Sequence, residues 1–552
     1  MELNIALIHE AIAQAVPGRE CIVWRDRRLS WAEVTERTRR LANVLAGHGL
    51  GVHGDPASIA PWESAQDHLA LYLTNGNEYL EGMLGAYKAR VAPFNVNYRY
   101  VEEELVYLLR DARARGIVFH ARYAPVLRAV LRRLDEPPVL LLQVDDESGN
   151  SLLPGATPYE AALAAASAAG PPVEPSPDDL YLVYTGGTTG MPKGALWRQA
   201  DFLVSALGVR RHDGTDFESL DEIVSIAKRR TLRSLPAPPL MHGAAHWNAI
   251  STWTSGGTVV IQHDPRHLDA SDILRTIERE RCDSLNIVGD AFARPLLDEL
   301  RRGRYDVSCL RYVVSGGAAL SSASKQELMA RIPGLRIVDI VGSSESGRQG
   351  IGTGTATGAF EPSPTACVLS EDRTRRLAPG DPEIGWLAQT GRIPRGYLGD
   401  RAKTEQTFPV IDGVRYVVAG DRARVRADGR IELLGRDSVT INTGGEKVFA
   451  EEVELALKHH PAVYDALVVG RPSERWGQQV VAVVHLRDGE HVTDDELLAT
   501  AAEHLARYKL PKAIVRVEHV ERSASGKPDY GWARGVASAR STAASSGGAD
   551  NP

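Results

Sequence analysis

The sequence predicts a multidomain α/β protein, with a large N-terminal domain followed by a small α+β domain. Three observations carry this. A chain of 552 residues is too long for one hydrophobic core and divides into several. Helical and strand-like segments alternate through the first ~430 residues, the pattern of α/β layers. Beyond Asp437 the chain reads as a self-contained unit of roughly one hundred residues, an ordinary domain size. The predicted division is 1–437, 438–535 and a Ser-, Ala- and Gly-rich stretch, 536–552, that reads as a disordered tail.

Each element has a local reason. Ser30-Trp-Ala-Glu33 is a capping box, and the helix it opens carries Val34, Leu41, Val44 and Leu45 on one face. Residues 171–179 are Pro- and acid-rich, a predicted exposed connection. Leu180-Tyr-Leu-Val-Tyr184 has strand character. Residues 211–230 are polar and charged and read as a surface insertion. In the second unit, 450–460 reads as a helix with Val453 and Leu457 four apart, and 466–469 and 480–486 read as strands. Thr493-Asp-Asp-Glu496 caps a further helix that should end before Pro511.

Hydrophobic content of 43%, charged content of 24% and the lack of any apolar run near ~18 residues fit a globular cytoplasmic protein without integral membrane association. Net charge of −7 gives no reason to expect nucleic acid as a partner. Cys21, Cys282, Cys309 and Cys367 lack metal or disulfide-framework spacing and read as reduced thiols. The N-terminus does not have the basic-then-apolar pattern of a signal peptide.

Residues 184–194, Tyr-Thr-Gly-Gly-Thr-Thr-Gly-Met-Pro-Lys-Gly, follow the predicted strand. Glycines allow positive φ and turn backbone N–H groups inward, where they cradle phosphate oxygens. Thr185, Thr188 and Thr189 add hydroxyl donors, Gly186, Gly187 and Gly190 the turns, and Lys193 a charge. This is not a Walker A loop, because Gly194 follows the lysine where Ser or Thr would hold Mg²⁺. It reads as a polyphosphate loop of another kind.

Further segments stand at strand ends. Ser315-Gly316-Gly317-Ala318 closes an apolar strand, where paired glycines allow a flat ring to lie against backbone. Val341-Gly342-Ser343-Ser344-Glu345 sets one carboxylate among small residues, suited to a Mg²⁺ ion or a water. Ala419-Gly420-Asp421 offers an acceptor pair that suits a diol. His242 and His246 are four apart without a nearby acidic third ligand, which argues against a metal pair.

Taken in order, these segments resemble those of the adenylate-forming superfamily: acyl-CoA and aryl-CoA synthetases, peptide-synthetase adenylation domains and beetle luciferases. Residues 185–194 resemble its [ST]-G-[ST]-T-G-x-P-K-G signature. Residues 315–320 resemble its adenine-binding segment, with Ala319 in place of proline. Residues 341–345 resemble Y-G-x-T-E, with Val341 for the tyrosine and Ser344 for the threonine. Asp421 stands at the ribose-binding aspartate. Gly435-Arg436 resembles the end of the large domain, with Ser438 at the hinge position. Residues 522–527 resemble the R-[ST]-x-[ST]-G-K loop. Gly444, Gly445, Glu446 and Lys447 resemble the segment that faces the pantetheine tunnel, with Ala450 for the usual proline.

The resemblance implies the finer architecture: two β-sheets flanked by helices, a barrel-like subdomain, and a mobile C-terminal domain. It implies that ATP activates a carboxylic acid as acyl-AMP with release of pyrophosphate, and that coenzyme A then takes the acyl group. Lys527, Glu345, His242 and Thr185 become the catalytic set, with Glu345 on Mg²⁺. Thr185 to Gly190, Lys193, Gly316, Gly317, Ala318, Val341 to Ser344, Asp421, Arg436 and Lys527 become the nucleotide site. His242, His246, Trp247 and Gly316 become the acyl pocket. The pattern is most like actinobacterial fatty-acyl and sterol side-chain CoA ligases. The alternatives are an acyl-AMP ligase that loads a carrier protein and a non-catalytic nucleotide sensor. A homodimer is compatible with each.

Overall fold

The computed structural model describes residues 1–56, 58–170, 173–185, 191–355, 358–443, 446–523 and 525–545. Among these the strands form four sheets. The first has a parallel centre, from Glu20–Trp24 through Thr258–Ile261, Arg233–Pro236, Ser284–Ile287 and Tyr312–Gly316 to Arg336–Ser343. Such strands are covered on both faces and read as short apolar runs. Tyr312–Gly316 and Arg336–Ser343 lie side by side and parallel, so both predicted nucleotide segments emerge at the same carboxyl end of the sheet. Ligands of open α/β sheets bind beyond such carboxyl ends.

After Arg336–Ser343 the path turns antiparallel through Gly347–Thr353 and Ala359–Pro362 into Ile431–Arg436 and Asp421–Val425. The strands expected as a barrel-like unit thus continue the hydrogen-bonded path of the large sheet. A second sheet, all parallel, holds Ala92–Asn95, His68–Tyr72, Ala114–His120, Leu140–Val144 and Thr157–Pro158. A third pairs Leu180–Thr185 with Lys193–Arg198, which in turn pairs with Gly396–Tyr397. Thr185 sits directly opposite Lys193. The segment between them, with the predicted phosphate ligands Gly186, Gly187, Thr188, Thr189 and Gly190, lies outside the described residues.

The small domain has its own sheet, built on the long hairpin Val463–Ser473 and Gly477–Leu486, with Ala513–Val517 parallel to the second strand. Its core is Val453, Leu457, Val468, Val483, Leu497 and their neighbours. Gly444 and Gly445 lie outside the described residues.

The predicted local signals have clear outcomes. The Ser30 hydroxyl accepts from Glu33 N–H at 3.2 Å while Glu33 accepts from Ser30 N–H at 2.7 Å, and Val34, Leu41, Val44 and Leu45 are buried. Thr493 and Glu496 form the same reciprocal cap on Asp494–Ala502. Three expectations are corrected. Residues 211–230 include a helix, Leu220–Arg229, that buries Ile223 and Ala227, so they are more than a surface insertion. Asp179 ends the supposedly exposed connection but is buried and paired with Arg90 at 2.9 Å. The tail predicted from 536 onward is a helix, Tyr530–Ser545, which packs Tyr530, Ala533 and Ala537 into the small-domain core. Residues 546–552 lie outside the described residues.

Candidate active site

Glu345 sits at the centre of the site. The strand Arg336–Ser343 and its antiparallel neighbour approach so closely at Gly342 that a Cβ there would stand 2.0 Å from the Gly347 carbonyl oxygen. Serines then fold the turn: Ser343 N–H donates to Ser346 Oγ at 3.0 Å, and Ser346 and Glu345 N–H donate to Ser343 Oγ at 3.2 and 3.3 Å. Glu345 Oε1 accepts from Thr185 Oγ1 at 3.2 Å and from Tyr397 OH at 3.3 Å. The first residue of the glycine–threonine loop and the predicted Mg²⁺ carboxylate therefore touch, although 160 positions separate them.

Lys193 is not presented freely. Its ammonium is paired with Asp400, whose other oxygen caps the helix Arg401–Thr407 by accepting from Lys403 N–H at 2.9 Å. Burial would raise the Asp400 carboxyl, but Lys193 and the cap hold it below its ordinary value.

Asp421 and Arg436 face each other across paired strands, with Nε to Oδ1 at 3.2 Å. Burial lifts the Asp421 carboxyl, aided by Glu345 and opposed by Arg436 and Lys527. Asp421 in turn raises Arg436. The pair combines an acceptor for ribose hydroxyls with a cation for phosphate.

Lys527 enters from the small domain. A Cβ placed on Gly317 would lie 3.9 Å from Lys527 Cε, so the lysine stem runs along the predicted adenine segment. Burial and Arg436 depress its ammonium below the ordinary lysine range, against the opposing pull of Glu345 and Asp421. Lys527 keeps access to solvent, and water screens part of this effect. Among the described residues its Nζ makes no ion pair. Its loop is fixed from both domains. Arg522 grips Asp465 with Nε and Nη2 at 2.7 and 2.8 Å and donates to Gly526 O at 3.0 Å. Gly526, at φ 74°, lies against the helix Gly289–Arg302, where a Cβ would stand 2.9 Å from Ala291 Cβ. Arg294 of that helix donates to Val463 O of the small domain at 3.2 Å. A cavity of about 310 Å³ between the domains adjoins this loop, lined by Arg99, Arg294, Tyr464, His485, His519 and Ser523 among others.

His242 stands at the N-cap position of the helix Gly243–Thr254 without a side-chain cap bond, and its buried Nε2 has no hydrogen-bond partner among the described residues. Burial, with Lys527, His246 and Arg99 nearby, pushes it down to about 3, so it is neutral near pH 7. Trp247 lies one turn on, 3.5 Å from where a Gly243 Cβ would stand, with Ser344 Oγ on the other side at 3.8 Å. His246, which the resemblance sets in the acyl pocket, is held by its neighbours. It is fully buried, its Nδ1 faces Leu240 O at 2.7 Å, and its Nε2 meets Tyr181 OH. Tyr181 OH also accepts from Trp247 Nε1 at 2.5 Å. His246 thus orients Trp247 through Tyr181.

Gly316 ends the strand Tyr312–Gly316, and Ala318 and Ala319 lie beside the N-terminus of Gly289–Arg302, where a Cβ on Gly289 would stand 2.9 Å from Ala318 O and Asp290 N–H donates to Ala319 O at 3.1 Å. Val341 packs on the cluster of Phe360 and Leu387. Ser438 lies in the short turn Asp437–Val439 between the domains. Glu446 and Lys447 are exposed, and Lys447 reaches Glu371 of the large domain at 3.4 Å. Asn95, Tyr181, Tyr397 and Asp400 carry no motif and were not anticipated. Asn95 joins Tyr184 to the segment before His242, donating to Tyr184 O and Met241 O at 2.8 Å each.

Residues 9–382 match the family described as AMP-binding enzyme, and residues 452–527 match the AMP-binding enzyme C-terminal domain. The chain belongs to the AMP-binding enzyme family. It is 53% identical over 537 residues to the medium-chain acyl-CoA ligase Mig of Mycobacterium avium, covering 96% of this chain and 98% of that one. It is 39% identical to the 3-oxocholest-4-en-26-oate–CoA ligase of Rhodococcus rhodochrous, covering 97% and 96%. The crystal structure of the anthranilate CoA ligase AuaEII with anthranoyl-AMP superposes with a TM-score of 0.82 at 21% identity, covering 98% of each chain. That match establishes the shared fold of this family member. Among its described residues no helix is long and apolar enough to cross a membrane.

Proposed function

We propose that the protein is an AMP-forming acid–thiol ligase of the cytoplasm that activates a hydrophobic carboxylic acid and passes the acyl group to coenzyme A. One observation carries the reading: Lys527 of the small domain, without an ion-pair partner among the described residues, reaches Gly317 and the field of Glu345, Asp421 and Arg436. A cation placed among nucleotide-binding groups and committed to none of them suits two anions that must meet.

A carboxylate is a poor acyl donor. Its oxygen attacks the α-phosphorus of ATP, a P–O bond forms, and the bond to pyrophosphate breaks. Lys527 and Arg436 stabilise the charge that grows on the α-phosphate and the entering carboxylate. Thr185 and Lys193 take the outer phosphates, with Lys193 exchanging Asp400 for phosphate. Asp421 holds the ribose. Neutral His242 lines the acyl side without adding charge. Thiol sulfur then bonds to the carbonyl carbon and AMP leaves.

Glu345 suits Mg²⁺, which takes few protein carboxylates and completes its shell with phosphate oxygens and water. Such an ion would supply charge neutralisation on the phosphates.

The acid we favour is a linear one of medium length. The relative at 53% identity is named for medium-chain acids, and the hydrogen-bonded Trp247 indole would limit an acyl chain entering beside Gly243. The basic residues of the interdomain cavity suit the phosphates of coenzyme A. The test is a panel of acids from acetate through long-chain to sterol acids, scored by AMP formation with free coenzyme A and with a phosphopantetheinyl carrier. AMP formation only with the carrier would replace coenzyme A as acceptor. No ATP–pyrophosphate exchange with any acid would overturn the ligase reading.

A further inference from the structure

Glu451 is the second residue of the small-domain helix Ala450–Leu457, yet its carboxyl lies against the large domain. Oε1 accepts from Arg436 N–H at 3.4 Å. Oε2 is sealed from solvent and has no hydrogen-bond partner among the described residues. It occupies the space beside Gly435, where a Cβ would stand 2.2 Å away. Gly435 has φ 139°, a conformation that favours glycine, so backbone and carboxyl fit each other closely. The contact spans the turn Asp437–Val439, and any rotation of the small domain about that turn must break it.

The groups that face Glu451 decide how the carboxyl responds to protons. Its own helix presents Glu454, the strand Asp421–Val425 presents Asp421, the strand Ile431–Arg436 presents Arg436, and the C-terminal helix presents Tyr530. Burial and Glu454 push Glu451 up to about 8, with Asp421 adding to the shift and hydrogen bonds from backbone opposing it.

We propose that Glu451 is a positioning residue with a proton-dependent role, latching the Gly435–Arg436 strand end to the small domain in the adenylate-forming arrangement when protonated and releasing it when ionised. This rests on the ligase reading above, in which the small domain must rotate between half-reactions. The sign follows from linkage. A carboxyl raised in the latched state and ordinary in the released state binds its proton more tightly when latched. Latching is therefore favoured at low pH and weakens as pH rises from about 4.5 toward about 8, by up to ~tenfold per pH unit, then levels off.

Two measurements test it on the full chain. Single-turnover adenylate formation and thiolysis of supplied acyl-adenylate are followed from pH 6 to 9 in the wild type and in Glu451→Gln. Taking the ratio to the variant cancels ionisation of the thiol. The wild-type ratio of adenylation to thiolysis should fall by up to ~tenfold per unit up to about pH 8 relative to the variant and then stay flat. Parallel profiles would overturn the latch while leaving the ligase intact. The second readout needs no activity: hydrogen exchange of a peptide containing Arg436, corrected for intrinsic rates. Protection should be lost between pH 6 and 8 in the wild type and stay constant in Glu451→Gln. Equal pH dependence in both proteins would refute the latch even in a chain that turns over no acid.

Discussion

Two lysines of the site present opposite arrangements. Lys193 belongs to the large domain, lies on a paired strand, and is already bound to Asp400, with about a third of each side chain exposed. Lys527 belongs to the small domain, is crowded by Arg436, Glu345 and Asp421, and has no ion-pair partner among the described residues. On the proposed function, the first cation would be stored in a pair that phosphate replaces, and the second would be offered to the reacting atoms with little to give up. Preorganised charge of that kind costs no rearrangement at the moment of reaction. The contrast implies that Lys193 contributes mainly to binding and Lys527 mainly to the transition state, and four substitutions probe that division.

The largest effect is expected at Lys527. Lys527→Ala should lower single-turnover adenylate formation by ~10²–10³, the range for one preorganised donor, while thiolysis of supplied acyl-adenylate stays within ~threefold. Rapid-quench assays of the two half-reactions measure this. Equal losses in both would place the lysine in a role common to the two steps.

Trp247 tests whether the acyl side is as preorganised as Lys527. Trp247→Ala should raise kcat/KM for acids longer by about two to four carbons ~10-fold relative to the best wild-type acid. Tyr181→Phe removes the hydroxyl that fixes the indole and should broaden chain-length preference without moving KM for ATP. An unchanged profile in both variants would place the acyl chain elsewhere.

The alkaline limb of adenylation separates the two lysines directly. The ammonium form of Lys527 is the active one, and its depressed value means the proton is lost earlier as pH rises. Adenylation should therefore fall below the ~10.4 of a free lysine. Glu345→Gln removes a charge that supports the ammonium and should move the limb lower. Lys193→Ala should leave its position unchanged. A limb that moved with Lys193 would exchange the roles assigned to the two.

These roles were unequally legible in the sequence. Thr185, Glu345, Asp421, Arg436 and Lys527 each lie in a contiguous pattern whose residue types suit their chemistry, so order along the chain exposed them. Asp400, Tyr397, Asn95 and Tyr181 act through single side chains brought together across strands far apart in sequence, and no local pattern marks them. His246 shows another limit: the resemblance of its segment placed it in the acyl pocket, and no local pattern marks its bond to Tyr181 or its burial. The C-terminal helix was missed because Ser, Ala and Gly suggested disorder. Its signal was the spacing of Tyr530, Ala533 and Ala537, and alanine is the strongest helix former. Composition masked periodicity there.

The smallest expected effect is at Asp400, where the storage idea can be isolated. Asp400 has two functions, one oxygen on Lys193 and the other capping Arg401–Thr407. Asparagine caps helices about as well as aspartate, so Asp400→Asn keeps the helix start and removes only the charge. Lys193 then no longer has to leave a carboxylate before it meets phosphate. A partly exposed pair of this kind is worth ~0.2–1 kcal/mol, so KM for ATP should fall by about 1.5- to 5-fold with kcat unchanged. If KM rose, Asp400 would be holding Lys193 in its phosphate-binding position, and the pair would be part of the binding geometry instead of a competitor to it.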